Sequence, residues 1–153
     1  PGGWVATTHV DFLRDVAQMW RISDDLWDRW EDIYQQFPRL ARWAPMQTAG
    51  HWADADMLPI GHIGLRAERG DDRQSKLTID EQKTLLALWC MGRSPLMVGG
   101  DLPTSEADAI ALLANPALRE VTAGSANNRE IVYERIFERW WEEDSYLGDQ
   151  GKF

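Results

Sequence analysis

A chain of 153 residues with 44% hydrophobic and 27% charged side chains has the make-up of one globular domain of ordinary size. Its net charge of −9 argues against nucleic acid or an anionic membrane as a partner, and no apolar run reaches the ~18 residues that a membrane-spanning helix needs. The single cysteine, Cys90, excludes an internal disulfide and lies in an apolar helical run, where a buried thiol is expected.

The chain opens on PGGWVATTH, a loop leading into a short amphipathic helix over Val10–Ala17. Gln18–Ser23 is a predicted strand that runs into the acidic pair Asp24-Asp25. Trp27, Trp30, Ile33, Tyr34 and Phe37 then fall at helical spacing, and Pro38 interrupts the pattern. A second strand is predicted over His51–Leu58, with Asp54 and Asp56 towards its end. The polar, glycine-containing stretch Gly61–Lys76 reads as a surface loop. Thr78 and Glu81 make a capping box for a helix through Met91, whose Leu85, Leu86, Leu88 and Trp89 are dense enough for burial. Pro95–Gly99 is wholly apolar, as a strand covered on both faces should be, and Asp101 follows it. A helix over Thr104–Val121 is expected to bend or end at Asn115-Pro116, and Ile131–Trp141 can form another before the polar tail Glu142–Phe153.

Strand and helix alternate about every 35–40 residues, the rhythm of βα units on a parallel sheet. The carboxylates gather where strands end, which is where a (β/α)₈ barrel keeps its chemistry. Three such units cannot close a barrel, which takes eight strands and roughly 250 residues. The pattern therefore predicts either a smaller open α/β sheet or part of a barrel. Nine tryptophans are unusual; most are read as core, although an indole plane also suits the flat apolar face of a sugar ring.

Three ordered segments, MWRISDDLWD (19–28), GHWADADML (50–58) and SPLMVGGDL (94–102), decide between these architectures. They resemble glycoside hydrolase family 27, the α-galactosidases and α-N-acetylgalactosaminidases. In that family strand six carries W-R-x-x-x-D, strand seven G-W-N-D-P-D-M-L and strand eight P-L-x-x-G-x-D-L. The resemblance covers residues 1–122. It implies an α/β fold, a partial (β/α)₈ TIM barrel holding about strands six to eight with their helices, and it makes 123–153 a junction towards a C-terminal β-sandwich.

The resemblance also implies roles. Arg21 falls on the arginine that binds sugar hydroxyls near the reacting carbon. Asp25, four residues on, falls on the general acid/base. Asp56 falls on a carboxylate of the sugar subsite, flanked by Trp52 and Met57. Ala53 and Ala55 depart from the family's usual Asn and Pro. A retaining glycosidase needs an acid to protonate the leaving oxygen and a carboxylate nucleophile about 5–5.5 Å away. The family's nucleophile on strand four and its strand-two sugar ligands have no match in this chain. The expected function is thus part of a retaining hydrolase of terminal α-galactosyl residues, needing an N-terminal barrel half and inactive by itself. Its partner is a carbohydrate substrate, with no cofactor and no metal.

Other readings stand beside these. Locally, Asp24 or Asp25 could be a helix N-cap, and Asp24 competes for the acid/base role; the Arg-plus-four spacing selects Asp25. Asp54, two residues from Asp56, is read as a hydrogen-bond acceptor behind the site. His51, Asp54 and Asp56 lack a specific metal-ligand spacing. Within the family, the loop PGGW does not match the Cys-Glu-Trp segment of many eukaryotic members, so α-N-acetylgalactosaminidase and β-L-arabinopyranosidase stay open, as does a non-catalytic carbohydrate-binding domain.

Overall fold

Two short parallel strands carry the molecule's chemistry. The computed structural model describes residues 5–131 apart from positions 68 and 127. Helix α1 (Val10–Val16) leads into β1 (Met19–Arg21), and α2 (Trp30–Tyr34) and α3 (Gln36–Trp43) cross over to β2 (Trp52–Asp54). The strands pair in parallel, with Met19 opposite Trp52, Trp20 opposite Ala53 and Arg21 opposite Asp54. The ladder runs one step further at each end, through Trp52 N–H to the Gln18 carbonyl and Ile22 N–H to the Asp54 carbonyl, both at 2.9 Å. This is a βαβ unit, as the alternation of patterns predicted.

The core lies between this pair of strands and the helices. Trp20 from β1 meets Trp43 from α3 with ring centroids 5.9 Å apart and tilted. Leu26, Ile33, Leu40, Leu58 and Ile60 belong to the same buried cluster. The next helix, α4 (Ile79–Gly92), adds Leu85, Leu86 and Trp89, all buried, together with the buried thiol of Cys90. Its capping box forms as expected: Glu81 N–H donates to Thr78 Oγ1, and Thr78 N–H donates to Glu81 Oε2 at 2.7 Å.

Four expectations are corrected. The helix expected from Trp27 begins at Trp30, because Asp32 holds the preceding turn: its carboxylate accepts from Trp27 N–H and from both ends of the Arg29 guanidinium fork. The helical run breaks at Gln35 rather than at Pro38, which lies in the first turn of α3, where a missing N–H costs nothing. The stretch expected as loop, Gly61–Lys76, contains β3 (His62–Ile63) and β4 (Arg73–Gln74), paired antiparallel. Pro95–Gly99 does not form a regular strand among the described residues. It makes a single parallel bridge, Leu58 to Val98, and Met97 and Val98 stand about 40% and 39% exposed rather than covered on both faces.

The Thr104–Val121 expectation resolves into α5 (Ala107–Leu113) and α6 (Ala117–Gly124), divided at Asn115-Pro116 as read, with Asn115 Oδ1 capping Ala117 N–H. The helix expected over Ile131–Trp141, but for its first residue, and the tail after it lie outside the described residues.

Candidate active site

Both strands of the parallel pair release their chain on the same side, and the site is built there. Arg21 is the last residue of β1, and its guanidinium Nη2 reaches three oxygens: Asp56 Oδ2 at 2.9 Å, the Ser23 carbonyl at 3.1 Å and Asp25 Oδ1 at 3.4 Å. One cation thus sits between two carboxylates that come from different strand ends. Arg21 is held 15% exposed and Asp56 13%, whereas Asp25 stands 58% exposed. Arg21, Asp25 and Asp56 are therefore brought together, and of the two carboxylates Asp25 is the one presented to solvent.

The neighbouring Asp24 is exposed as well, but Arg21 pairs with Asp25. Neither aspartate caps a helix, since α2 starts at Trp30 with Arg29 at its N-cap. The alternative cap reading of the acidic pair falls on that ground.

Asp56 is fastened on every side. Its N–H donates to Asp54 Oδ1 at 2.9 Å, and its carbonyl accepts the Trp89 indole N–H at 2.9 Å. Its Oδ2 accepts from Leu26 N–H at 2.6 Å and from Arg21. Its Oδ1 has no partner among the described residues, so the group retains an open acceptor, and the buried Nε of Arg21 is left without a hydrogen-bond partner among those residues. Asp54, 3% exposed, takes the acceptor position behind the site that its spacing suggested. Burial pushes its carboxyl above the ordinary carboxylate value, against the pull of the Asp56 amide and of Arg21's charge.

Met57 follows Asp56 and packs on Gly99, where a side-chain β-carbon would come within 2.4 Å of the Met57 sulfur. Any larger residue at 99 would require the Met57 side chain to shift. Trp52 is not part of this group. It opens β2 at the opposite end of the strand from Asp56, lies under the Arg93 guanidinium at 4.3 Å, and lines a separate cavity of about 530 Å³ with Thr48, Met91 and Asn128. The pocket-shaping role expected of Trp52 is therefore not supported by its place in the fold.

The loop bearing Asp25 is pinned at its far end by Asp28, which is buried. Arg73 grips that carboxylate with both arms, Nε to Oδ2 at 2.9 Å and Nη2 to Oδ1 at 2.5 Å, and Lys76 N–H adds a third bond at 2.9 Å. Burial alone would raise Asp28's carboxyl, but these bonds and Arg73's charge outweigh it and hold it below the usual value of 3.8. Sequence reading missed Asp28, Arg73 and Trp89 as supports. Trp89 carried only the signal of an apolar helix position, and a pairing across 45 residues leaves no local trace.

His51, once weighed as a metal ligand, has its Nδ1 on the Ala17 carbonyl at 3.0 Å. No cluster of three or more His, Cys, Asp or Glu side chains able to hold a metal occurs among the described residues.

An arginine and carboxylates collected beyond the C-terminal ends of parallel strands is the layout of the catalytic face of an α/β-barrel hydrolase. The chain belongs to the alpha-galactosidase A family, glycoside hydrolase family 27, whose model matches residues 4–123. It is 27% identical over 128 residues to human alpha-N-acetylgalactosaminidase, a match covering 78% of this chain and 27% of that protein. It is 28% identical over 133 residues to alpha-galactosidase 2 of Arabidopsis thaliana, covering 87% of this chain and 30% of that one. Among solved structures, a family 27 β-L-arabinopyranosidase from Geobacillus stearothermophilus superposes with a TM-score of 0.83 at 40% identity, over 88% of this chain and 31% of its own. The chain thus spans less than a third of the length of each of these relatives.

Proposed function

We propose that this chain supplies the acid/base side of a retaining glycosidase that cleaves terminal α-galactosyl residues. In this reading residues 1–122 are strands six to eight of a (β/α)₈ barrel with their helices, and 123–153 lead towards a further domain. Asp25 protonates the departing glycosidic oxygen and later draws the proton from the incoming water. Arg21 and Asp56 hold sugar hydroxyls, Asp56 through its open Oδ1. The nucleophile comes from residues outside this chain, so the 153 residues alone turn over no glycoside. The observation that carries the reading is the single Arg21 guanidinium shared by Asp25 and Asp56 at the ends of two parallel strands.

The test is made in the complete enzyme carrying these residues. Asp25→Asn should slow cleavage of α-galactosides with poor leaving groups by about 10²–10⁴-fold, the usual worth of general acid catalysis. Activated aryl glycosides, which need little protonation, should suffer less in the glycosylation step. If Asp24→Asn gives that pattern and Asp25→Asn does not, the assignment fails.

A second reading is β-L-arabinopyranoside hydrolysis, favoured by the 40% identity to the Geobacillus enzyme. The two sugars share their ring stereochemistry and differ in the hydroxymethyl group that arabinopyranose lacks. The ratio of kcat/KM for the matched aryl α-D-galactoside and β-L-arabinopyranoside separates them.

A further inference from the structure

Asp56 has a backbone φ of 85°, in the left-handed region that side chains rarely adopt. The other two described non-glycine residues with positive φ are accounted for by local structure. Ala67 closes a turn onto the Gly64 carbonyl, and Arg93 caps the end of α4. Asp56 is different. It follows β2 by two residues, and it is held both locally, by the side chain of Asp54 two residues back, and from a distance, by Trp89.

The hold has two arms. On the amide side, Asp54 Oδ1 accepts the Asp56 N–H. On the carbonyl side, the indole N–H of Trp89 donates across 33 residues of sequence. Trp89 is wholly buried in α4, a 14-residue helix fixed at its start by the capping box, so the donor cannot follow a drifting carbonyl. With both arms in place the Asp56 carboxylate faces back towards β1, where Oδ2 meets Arg21 and the Leu26 amide. Without the indole N–H nothing anchored in α4 opposes relaxation of φ to negative values. The carboxylate would then turn away from Arg21.

We propose that Trp89, with Asp54, is a positioning residue for the sugar-contacting carboxylate: its indole N–H keeps Asp56 in the left-handed conformation that aims Oδ2 at Arg21. The proposal rests on the function proposed above, in which Asp56 contacts the sugar. Neither Trp89 nor Asp54 needs to touch the substrate.

A double-mutant cycle in the complete enzyme tests it, read on an aryl α-galactoside. Trp89→Phe keeps the ring and removes the N–H. It should lower kcat/KM by about 100-fold, the scale of loss that a 1 Å misplacement brings, mainly through KM and without moving the pH profile of kcat set by Asp25. Asp56→Gly removes the carboxylate and accepts a positive φ freely, so in that background Trp89→Phe should change kcat/KM by no more than about 2-fold. Equal losses in both backgrounds would mean that Trp89 merely supports the fold, and would overturn the proposal. Should Trp89→Phe not fold, Asp54→Ala reads the same hold from the amide side, with the same coupling expected and the same absence of coupling overturning it. An unsubstituted enzyme that cleaves neither galactosides nor arabinopyranosides sinks the functional reading first, before any variant is compared, and the positioning role with it.

Discussion

Arg73→Ala breaks a buried ion pair that sits far from Asp25 in sequence but holds the end of its loop. The Asp28 carboxylate is 3% exposed and the Arg73 side chain 15%, so solvent does little to soften the loss. Two charge-assisted hydrogen bonds disappear, each worth about 1.5–3 kcal/mol, and Asp28 keeps only backbone amides, that of Lys76 among them. A buried carboxylate stripped of its cation typically costs about 3–5 kcal/mol, and the two routes agree. Arg73→Lys keeps the charge but cannot reproduce the fork, nor the bonds that Nη1 gives to the Arg69 and Asp71 carbonyls, so it should lose about half as much. The double variant Asp28→Leu/Arg73→Met removes both charges and should recover most of the stability. The assay is equilibrium urea unfolding of the complete enzyme, with the slope checked for constancy across variants. The reasoning is refuted if Arg73→Ala costs less than about 1 kcal/mol, or if the double variant is as damaged as the single one.

Acid should act on the same pair. Asp28's folded value lies below its ordinary 3.8, so its contribution is complete above pH 3.8 and fades as the pH falls further towards the folded value. Asp28→Asn should therefore flatten the acid limb of a stability–pH curve below pH 3.8 and leave its shape at pH 5–7 alone; a change confined to neutral pH would contradict this. The proposed mechanism also fixes stereochemistry: NMR of the first-formed galactose should show the α-anomer, and β-galactose appearing first would exclude a covalent glycosyl-enzyme.

What the sequence disclosed was what its local chemistry determines. Thr78 and Glu81 specify a helix start with four contiguous residues, and the spacing from Arg21 to Asp25 survives as a real contact because both lie at one strand end. The hairpin of β3 and β4 was hidden because each strand has two residues, too few for an alternation to be visible. Its placement is set instead from a distance, by Ser105 Oγ on the His62 amide and by Gln74 on the Thr104 carbonyl. Pro95–Gly99 misled in the opposite way: apolar content suits a covered strand, but pairing depends on neighbours, and Leu58 alone supplies them among the described residues. Trp52 came with the resemblance as a flank of Asp56, whereas in the fold it opens β2 at the opposite end of the strand, under Arg93.

The alanine at position 55 stands where the family pattern has proline, and its consequence is thermodynamic. Ala55 keeps an amide hydrogen, and Ser94 Oγ accepts it at 2.9 Å inside the fold, with both residues buried. A proline stiffens a loop by shrinking the repertoire of the unfolded chain, a purely entropic restraint that persists on heating. Here the loop before Asp56 draws its stiffness from a folded-state bond between two segments 39 residues apart. Ala55→Pro would thus exchange one restraint for another rather than add to it, because the ring that narrows the unfolded ensemble also leaves the Ser94 hydroxyl without its donor. Positions 55 and 94 form one unit of variation, and engineering for heat resistance has to change them together.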